Sequence, residues 1–152
     1  MPLSVQARRV AIRLAYAGLR TYWFLFRPEI HGVKCVVTHA DDVLLVRHTY
    51  GNRNWDLPGG TVRRRERPRD TARREMAEEL GRRIEDWVGL GELYVNTNHH
   101  HDNLHLFHAR IPDRQIDLDL TELAEAGWFP LETLPPDLGR YVRPIVARIR
   151  KA

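Results

Sequence analysis

The apolar positions of this chain recur with two different periods, and each predicts its own elements. From 3 to 26 the spacing is helical. Leu3, Val10, Leu14 and Leu25 fall broadly on one side of a helix, while Arg9, Arg13, Arg20 and Arg27 project near the other. The segment ends in Tyr22-Trp23-Phe24, and Pro28 stops it. Residues 32–39 then change rhythm: Gly32-Val33-Lys34-Cys35-Val36-Val37-Thr38-His39 is rich in β-branched side chains and predicts a strand. Ala40-Asp41-Asp42 reads as a turn and Val43 to Arg47 as the returning strand of a hairpin, followed by a loop from His48 to Asn54. Helical spacing returns at Ala72, Met76 and Leu80, which predicts a helix from Pro68 or Arg69 to Leu80. Proline suits its first turn, and Gly81 suits a left-handed cap at its end. Further on, Ile84 to Asn96 reads as a strand interrupted at Gly89 or Gly91. Residues 99–103 read as a turn, and the alternation from Leu104 to Ile111 as the partner strand. An acidic stretch spans Asp117 to Glu125, a short strand spans Gly127 to Leu131, and a last helix spans Arg140 to Arg150.

Composition narrows the class. At 152 residues the chain suits one domain, with no internal repeat or low-complexity linker. A chain of this size buries roughly 68–70% of its unfolded surface. Its single cysteine, Cys35, lies in an apolar run and cannot form an internal disulfide, which points to a reducing, cytoplasmic setting. The formal charge of +4 invites a nucleic-acid reading, but all except Lys34 and Lys151 of the 24 basic residues are arginine, a bias that a GC-rich coding genome also produces. The N-terminal helix starts like a signal peptide, yet Arg13 and Arg20 interrupt its apolar stretch, and Leu14 to Leu19 between them is far too short to span a bilayer. Three placements stay open for it: against its own domain, at a homodimer contact, or on a membrane surface. The first two are preferred.

The chemistry lies between Gly60 and Arg82, in GTVRRRERPRDTARREMAEELGR. Glu75, Glu78 and Glu79 stand at i, i+3 and i+4, so a helix projects all three from one side. Like charges so stacked destabilise a helix by roughly 0.2–0.5 kcal/mol per pair. A solvated charged face would explain the glutamates alone. It leaves unexplained the Gly59-Gly60 pair ahead of them, which permits a backbone turn, and Gly81 behind. A hard divalent cation with oxygen ligands compensates the charge.

This stretch resembles the Nudix box, G-x5-E-x7-R-E-U-x-E-E-x-G-U, where U is a bulky aliphatic residue. Gly60, Glu66, Arg74, Glu75, Met76, Glu78, Glu79 and Gly81 match it, and Arg82 departs from it. The departure concerns packing, and Ile84 is placed to supply the missing apolar contact. Trp55 ahead of Leu57-Pro58-Gly59-Gly60, and Trp128-Phe129 ahead of Leu134-Pro135, extend the likeness from roughly Gly32 to Pro135. The resemblance implies a Nudix fold: an α/β/α sandwich around a mixed β-sheet over 29–152, with residues 1–28 as an added amphipathic helix.

It also implies a metal-dependent hydrolase that cleaves a pyrophosphate bond in a nucleoside diphosphate-linked or related substrate, with Mg²⁺ or Mn²⁺ as cofactor. The metal ligands mapped by position are Glu79, Glu75 and Glu78, with the carbonyl of Gly59 beside them. Arg74 and Glu66 orient the glutamates. The general base stays open among Glu75, Asp102, Glu92 and the run His99 to His101, which itself could bind a transition metal. Arg47, Tyr50 and Asp102 are candidates for substrate contact. Arg63-Arg64-Arg65 with Arg67 and Arg69 could steer polyphosphate or form a solvated loop. Arg65, where related boxes often carry glycine, is expected to have an ordinary backbone. His31, His39 and His48 read as structural or surface residues.

Substrate identity is open. Thr97 and Asn98 stand where ADP-ribose enzymes of this family often carry proline, and His99 where some dinucleoside polyphosphate enzymes carry tyrosine. Other readings are a nucleotide sensor without turnover, a membrane-surface protein using 3–26, an isoprenoid diphosphate isomerase, for which Cys35 is poorly placed, and an RNA-decapping enzyme.

Overall fold

The computed structural model describes residues 4–97 and 99–151. Leu3 and Asn98 lie outside the described residues, as does the side chain of His100. The chain runs α1 (Val5–Phe26), β1 (Glu29–His39), β2 (Asp42–His48), β3 (Gly59–Thr61), α2 (Pro68–Leu80), β4 (Val88–Thr97), β5 (His100–Arg110), β6 (Leu123–Pro130) and α3 (Val142–Val146), with a 3-10 turn over Ala147–Lys151. The strands form one mixed sheet in the order β4-β5-β1-β2-β6, and β3 pairs with β1 off that path. Of the named strand pairs, β1 and β5 run parallel and the rest antiparallel.

Strand alternation divides the core into two layers. Val33, Cys35 and Val37 of β1, Leu44 and Val46 of β2, and Phe107 and Ala109 of β5 face Ala72, Met76 and Leu80 of α2. The opposite face sets Val36, Val43, Leu45, Leu104 and Leu106 against Val142, Ile145 and Val146 of α3. The stripe of α2 is wholly buried, each residue at 0% exposure. Each Leu or Met so covered contributes roughly 1.5–3 kcal/mol. Ile84 joins this layer, while Arg82 leaves it: its guanidinium donates to Asp113 and to the carbonyl of Gln115. The atypical position therefore ties the segment after β5 to the end of α2.

Several predicted boundaries shift. The turn expected over 99–103 shrinks, because β5 pairs with β4 from His100 onward, leaving His99 at φ 69° in the turn. The strand expected at 127 starts at Leu123, and the last helix divides into α3 and the 3-10 turn. The interruption in β4 is an irregularity between Gly89 and Glu92, with Gly91 at φ 85°. Arg65 overturns its expectation: it sits at φ 66°, in the left-handed region that glycine would occupy without strain.

α1 is capped by Ser4, whose side chain accepts from the Ala7 amide. It rests on its own domain, the first of the three placements. Arg9 donates to the carbonyl of Leu120 at 2.9 Å and Arg13 to that of Thr49 at 3.0 Å, and Tyr16 meets Tyr50. It nevertheless contains no buried residue. No helix among the described residues is long and apolar enough to cross a membrane.

Candidate functional site

A pocket of about 340 Å³ opens between β3 and the polar side of α2, lined by Gly59, Gly60, Arg74, Glu75, Glu78, Glu79, Tyr50 and Glu122. Met76 and Leu80 anchor the adjoining stripe of the helix in the core, and Glu75 and Glu79, each one position earlier, lie along its edge and turn inward. Both are buried, whereas Glu78 stays half-exposed at the rim.

The glycine pair admits the helix rather than making a turn. Gly60 belongs to β3, and a Cβ there would stand 2.2 Å from the Glu75 carboxylate. A Cβ on Gly59 would stand 2.0 Å from the Val33 carbonyl oxygen of β1. Gly81 does take the left-handed cap, at φ 59°.

Arg74 is the hub. Its Nε donates to Glu66 Oε1 at 2.8 Å, Nη2 to Glu66 Oε2 at 3.0 Å, and Nη1 to Glu75 Oε1 at 2.7 Å and Glu78 Oε2 at 3.1 Å. Glu66 also accepts from the Thr71 hydroxyl and the Arg63 amide. The Arg74 hydrogen bonds lead in holding the Glu66 carboxyl down at about 2. The guanidinium of Arg74 is raised in turn, first by Glu66. This forked pairing is geometry that lysine cannot reproduce.

Glu79 is differently placed. It is 3% exposed, and its carboxylate accepts from the Gly59 amide at a long 3.4 Å. Burial, then the charge of Glu75, pushes it up to about 8. Desolvation likewise raises Glu75 and Glu122. Glu75 and Glu79 are buried and Glu122 stands exposed at the pocket's edge, all three with their charged forms disfavoured, and a hard cation is the natural complement of such a group. Among the described residues no three His, Cys, Asp or Glu side chains stand already gathered around a metal position. Glu75 and Glu78 point their oxygens at Arg74 instead.

Glu122 escaped the sequence reading. Its signal was the acidic stretch 117–125, but which acid meets the site depends on tertiary contacts. The amides of Asp117 and Asp119 donate to the last carbonyls of α2, at Leu80 and Glu79, which clamps this segment to the helix end and brings Glu122 to the pocket.

The other candidates scatter. Tyr50 lines the glutamate pocket and the cleft beyond it, while Asp102 lines only that further cleft, with Lys34 and His48. Arg47 shares the parity of Val43 and Leu45, so strand alternation carries it to the α3 face. There it lies over Trp55 at 4.4 Å and pairs with Glu125 and Asp137. Glu92 sits beside His105 on the far strands, 3.3 Å from it. His99 packs on Phe24 and His101 bonds Asn96, so the described histidines of that run do not converge. His48 is held neutral, at about 4, by burial and then Lys34. Arg63 lines the pocket, 3.7 Å from Glu78, whereas Arg67 pairs with Asp70.

A model of the NUDIX domain matches residues 29–149. The chain belongs to this family. Among curated proteins it is similar to an ADP-ribose pyrophosphatase of Mycobacterium tuberculosis, 28% identical over 137 residues that cover 82% of this chain. The match spans 63% of that relative's length. Solved structures of the same shape include a MutT NUDIX hydrolase from Burkholderia pseudomallei, with TM-score 0.74, 23% identity, and coverage of 80% of this chain and 98% of that one. Another is the NUDIX domain of Shewanella oneidensis NrtR complexed with ADP ribose, with TM-score 0.71, 19% identity, and coverage of 84% and 90%. At these identities the solved structures establish the fold alone.

Proposed function

We propose that this NUDIX protein is a divalent-metal-dependent pyrophosphohydrolase acting in the cytoplasm on a nucleoside diphosphate-linked compound, with ADP-ribose the first substrate to try. The observation that carries the reading is Glu79: a carboxylate buried beside Glu75 and Glu122 with one long hydrogen bond. Such a group is costly unless a cation joins it. The matched ADP-ribose pyrophosphatase supports the substrate class, although Thr97 and Asn98 lack the proline often found in ADP-ribose enzymes.

In this reading Glu75, Glu78 and Glu79, with the Gly59 carbonyl, hold Mg²⁺ or Mn²⁺. The ion supplies charge neutralisation of the diphosphate and a more acidic bound water. Arg74, fixed by Glu66, orients Glu75 and Glu78. Glu122 reaches the same pocket from outside the box and bears no Arg74 hydrogen bond. It accepts the proton of the attacking water as the water oxygen bonds phosphorus and the bridging P–O bond breaks. Tyr50 forms the wall from which the substrate approaches.

The test is hydrolysis of ADP-ribose, nucleoside triphosphates, nucleotide sugars, dinucleotides and capped RNA with Mg²⁺ and with Mn²⁺, beside Glu79→Gln. Turnover of one class that vanishes in Glu79→Gln supports the proposal. Nucleotide binding without metal-dependent turnover supports a sensor instead, a reading that the ADP ribose complex of the NrtR NUDIX domain makes chemically reasonable.

A further inference from the structure

The glutamate pocket is one end of a longer cleft. Gly59, Gly60 and Thr61 border both it and an adjoining space of about 260 Å³, which shares Lys34, His48, Asp102 and Leu104 with a third cavity of about 440 Å³. Tyr50 borders all three. The far cavity is the right size for a drug-sized or nucleoside-sized group. The sheet residues Val95 and Leu104 line it, with polar Asn52, Asn54 and Asn96, and one wall comes from outside the family fold: Tyr16 of α1. α1 ends before residue 29, where the NUDIX match begins.

The way α1 is attached argues that this wall has a use. A helix docked for stability turns its apolar stripe to the domain. Here Val10, Leu14 and Leu25 are 53%, 70% and 67% exposed. The inward contacts come from Arg9 and Arg13, which bond backbone carbonyls, and from Tyr16 and Trp23, which line the cleft. Tyr16 packs on Tyr50 with ring centroids 5.1 Å apart and on Trp23 at 6.0 Å, and Tyr50 continues to His48 at 5.3 Å. An aromatic row thus runs from the added helix through Tyr50, which borders the glutamate pocket, to His48 at the end of β2, beside amide groups able to bond a heterocycle's edge. Flat π-faces with polar neighbours fit the base of a nucleotide.

We propose that Tyr16, with Tyr50, forms the recognition wall for the substrate's base, so that the N-terminal helix sets which nucleotide the cleft accepts. The proposal rests on the nucleotide reading above and deepens it. Equilibrium binding by calorimetry tests it without turnover, using AMP, GMP, CMP and UMP as base-bearing probes and ribose 5-phosphate as the base-free control. Wild type is compared with Tyr16→Ala, Tyr16→Leu and Tyr16→Phe. Loss of the ring should weaken the preferred monophosphate about tenfold in the Ala and Leu variants, Phe should retain binding, and ribose 5-phosphate should not respond. Tyr16→Leu keeps apolar contact with Tyr50, so it decides the matter if Tyr16→Ala undocks the helix. No binding of any monophosphate to wild type, equal affinity in Leu and Phe variants, or an equal loss for ribose 5-phosphate each overturns the proposal. In turnover, a raised KM with unchanged kcat in Tyr16→Leu upholds it. Hydrolysis with unchanged KM overturns it while leaving the hydrolase reading intact. Ring-dependent binding without any hydrolysis defeats only the hydrolase reading.

Discussion

Two helices border the same cleft on opposite terms. α2 buries Glu75 and Glu79 beside Met76 and Leu80, and its arginine hub bonds three carboxylates at 2.7–3.1 Å. α1 buries no residue and holds on through two arginine-to-carbonyl bonds and aromatic contacts. The difference separates construction from tuning. α2 cannot shift without breaking the core, so packing sets where its carboxylates stand. α1 can move at small cost, so it can alter what the cleft accepts without rebuilding the chemistry.

The largest effect should come from neutralising Glu79. Glu79→Gln keeps the shape and removes the charge, and kcat should fall about a thousandfold or more, as metal charge stabilisation is worth several kcal/mol. The same substitution should stabilise the metal-free protein at pH 8. In the fold Glu79 titrates at about 8 against an ordinary 4.5, so it retains its proton where the unfolded chain has lost it. Stability of the metal-free protein therefore falls as pH rises from about 4.5 to about 8 and levels off above. Glu75 and Glu122, also raised, act in the same direction. Glu66 acts oppositely: held at about 2, it contributes stability above about 4.5 that is lost as pH falls towards 2. Melting temperatures across pH, with EDTA and with Mg²⁺, check both limbs. An upper limb unchanged by Glu79→Gln would refute the account of this site.

The neighbouring glycines should separate activity from stability. Gly60→Ala drives a methyl into the Glu75 carboxylate, a movable side-chain end, and should cost about 10–100-fold in kcat/KM with most stability retained. Gly59→Ala meets β1 backbone at 2.0 Å and should cost about 1–3 kcal/mol in a denaturant melt. Equal behaviour of the two would mean that neither close approach matters as placed.

Much of the α2 half was legible along the chain. The stripe Ala72, Met76, Leu80 fixes which side of the helix is core, so the placing of the carboxylates along its edge follows from period alone. The same period placed α1 but could not show its inner side, because its apolar residues face solvent. Strand parity, which carries Arg47 with Val43 and Leu45 to the α3 face over Trp55, is what the sequence left unread there. Glu122 lies far along the chain from the box, and the amides of Asp117 and Asp119 on the α2 carbonyls, with the Thr49 amide on its own carbonyl, bring it to the pocket. The 99–103 turn was overestimated because polar side chains there still pair as strand up to His100. Arg65 shows that loop closure can impose a left-handed backbone on a residue with no preference for it.

The smallest effects should lie in α1, and they sharpen the contrast most directly. Leu14→Asn, on the exposed face, and Arg13→Ala, which removes the bond to the Thr49 carbonyl, should each change unfolding free energy by about 0.5 kcal/mol or less. Met76→Ala, in the buried stripe of α2, should cost about 2–5 kcal/mol. Amide exchange resolves what a global melt cannot. In wild type the α1 amides should exchange through local opening while those of α2 wait for global unfolding, and Arg13→Ala should speed α1 alone. If α1 and α2 instead exchanged together, the two helices would belong to one cooperative unit, and a helix with no buried residue would be contributing to the stability of the core it merely touches.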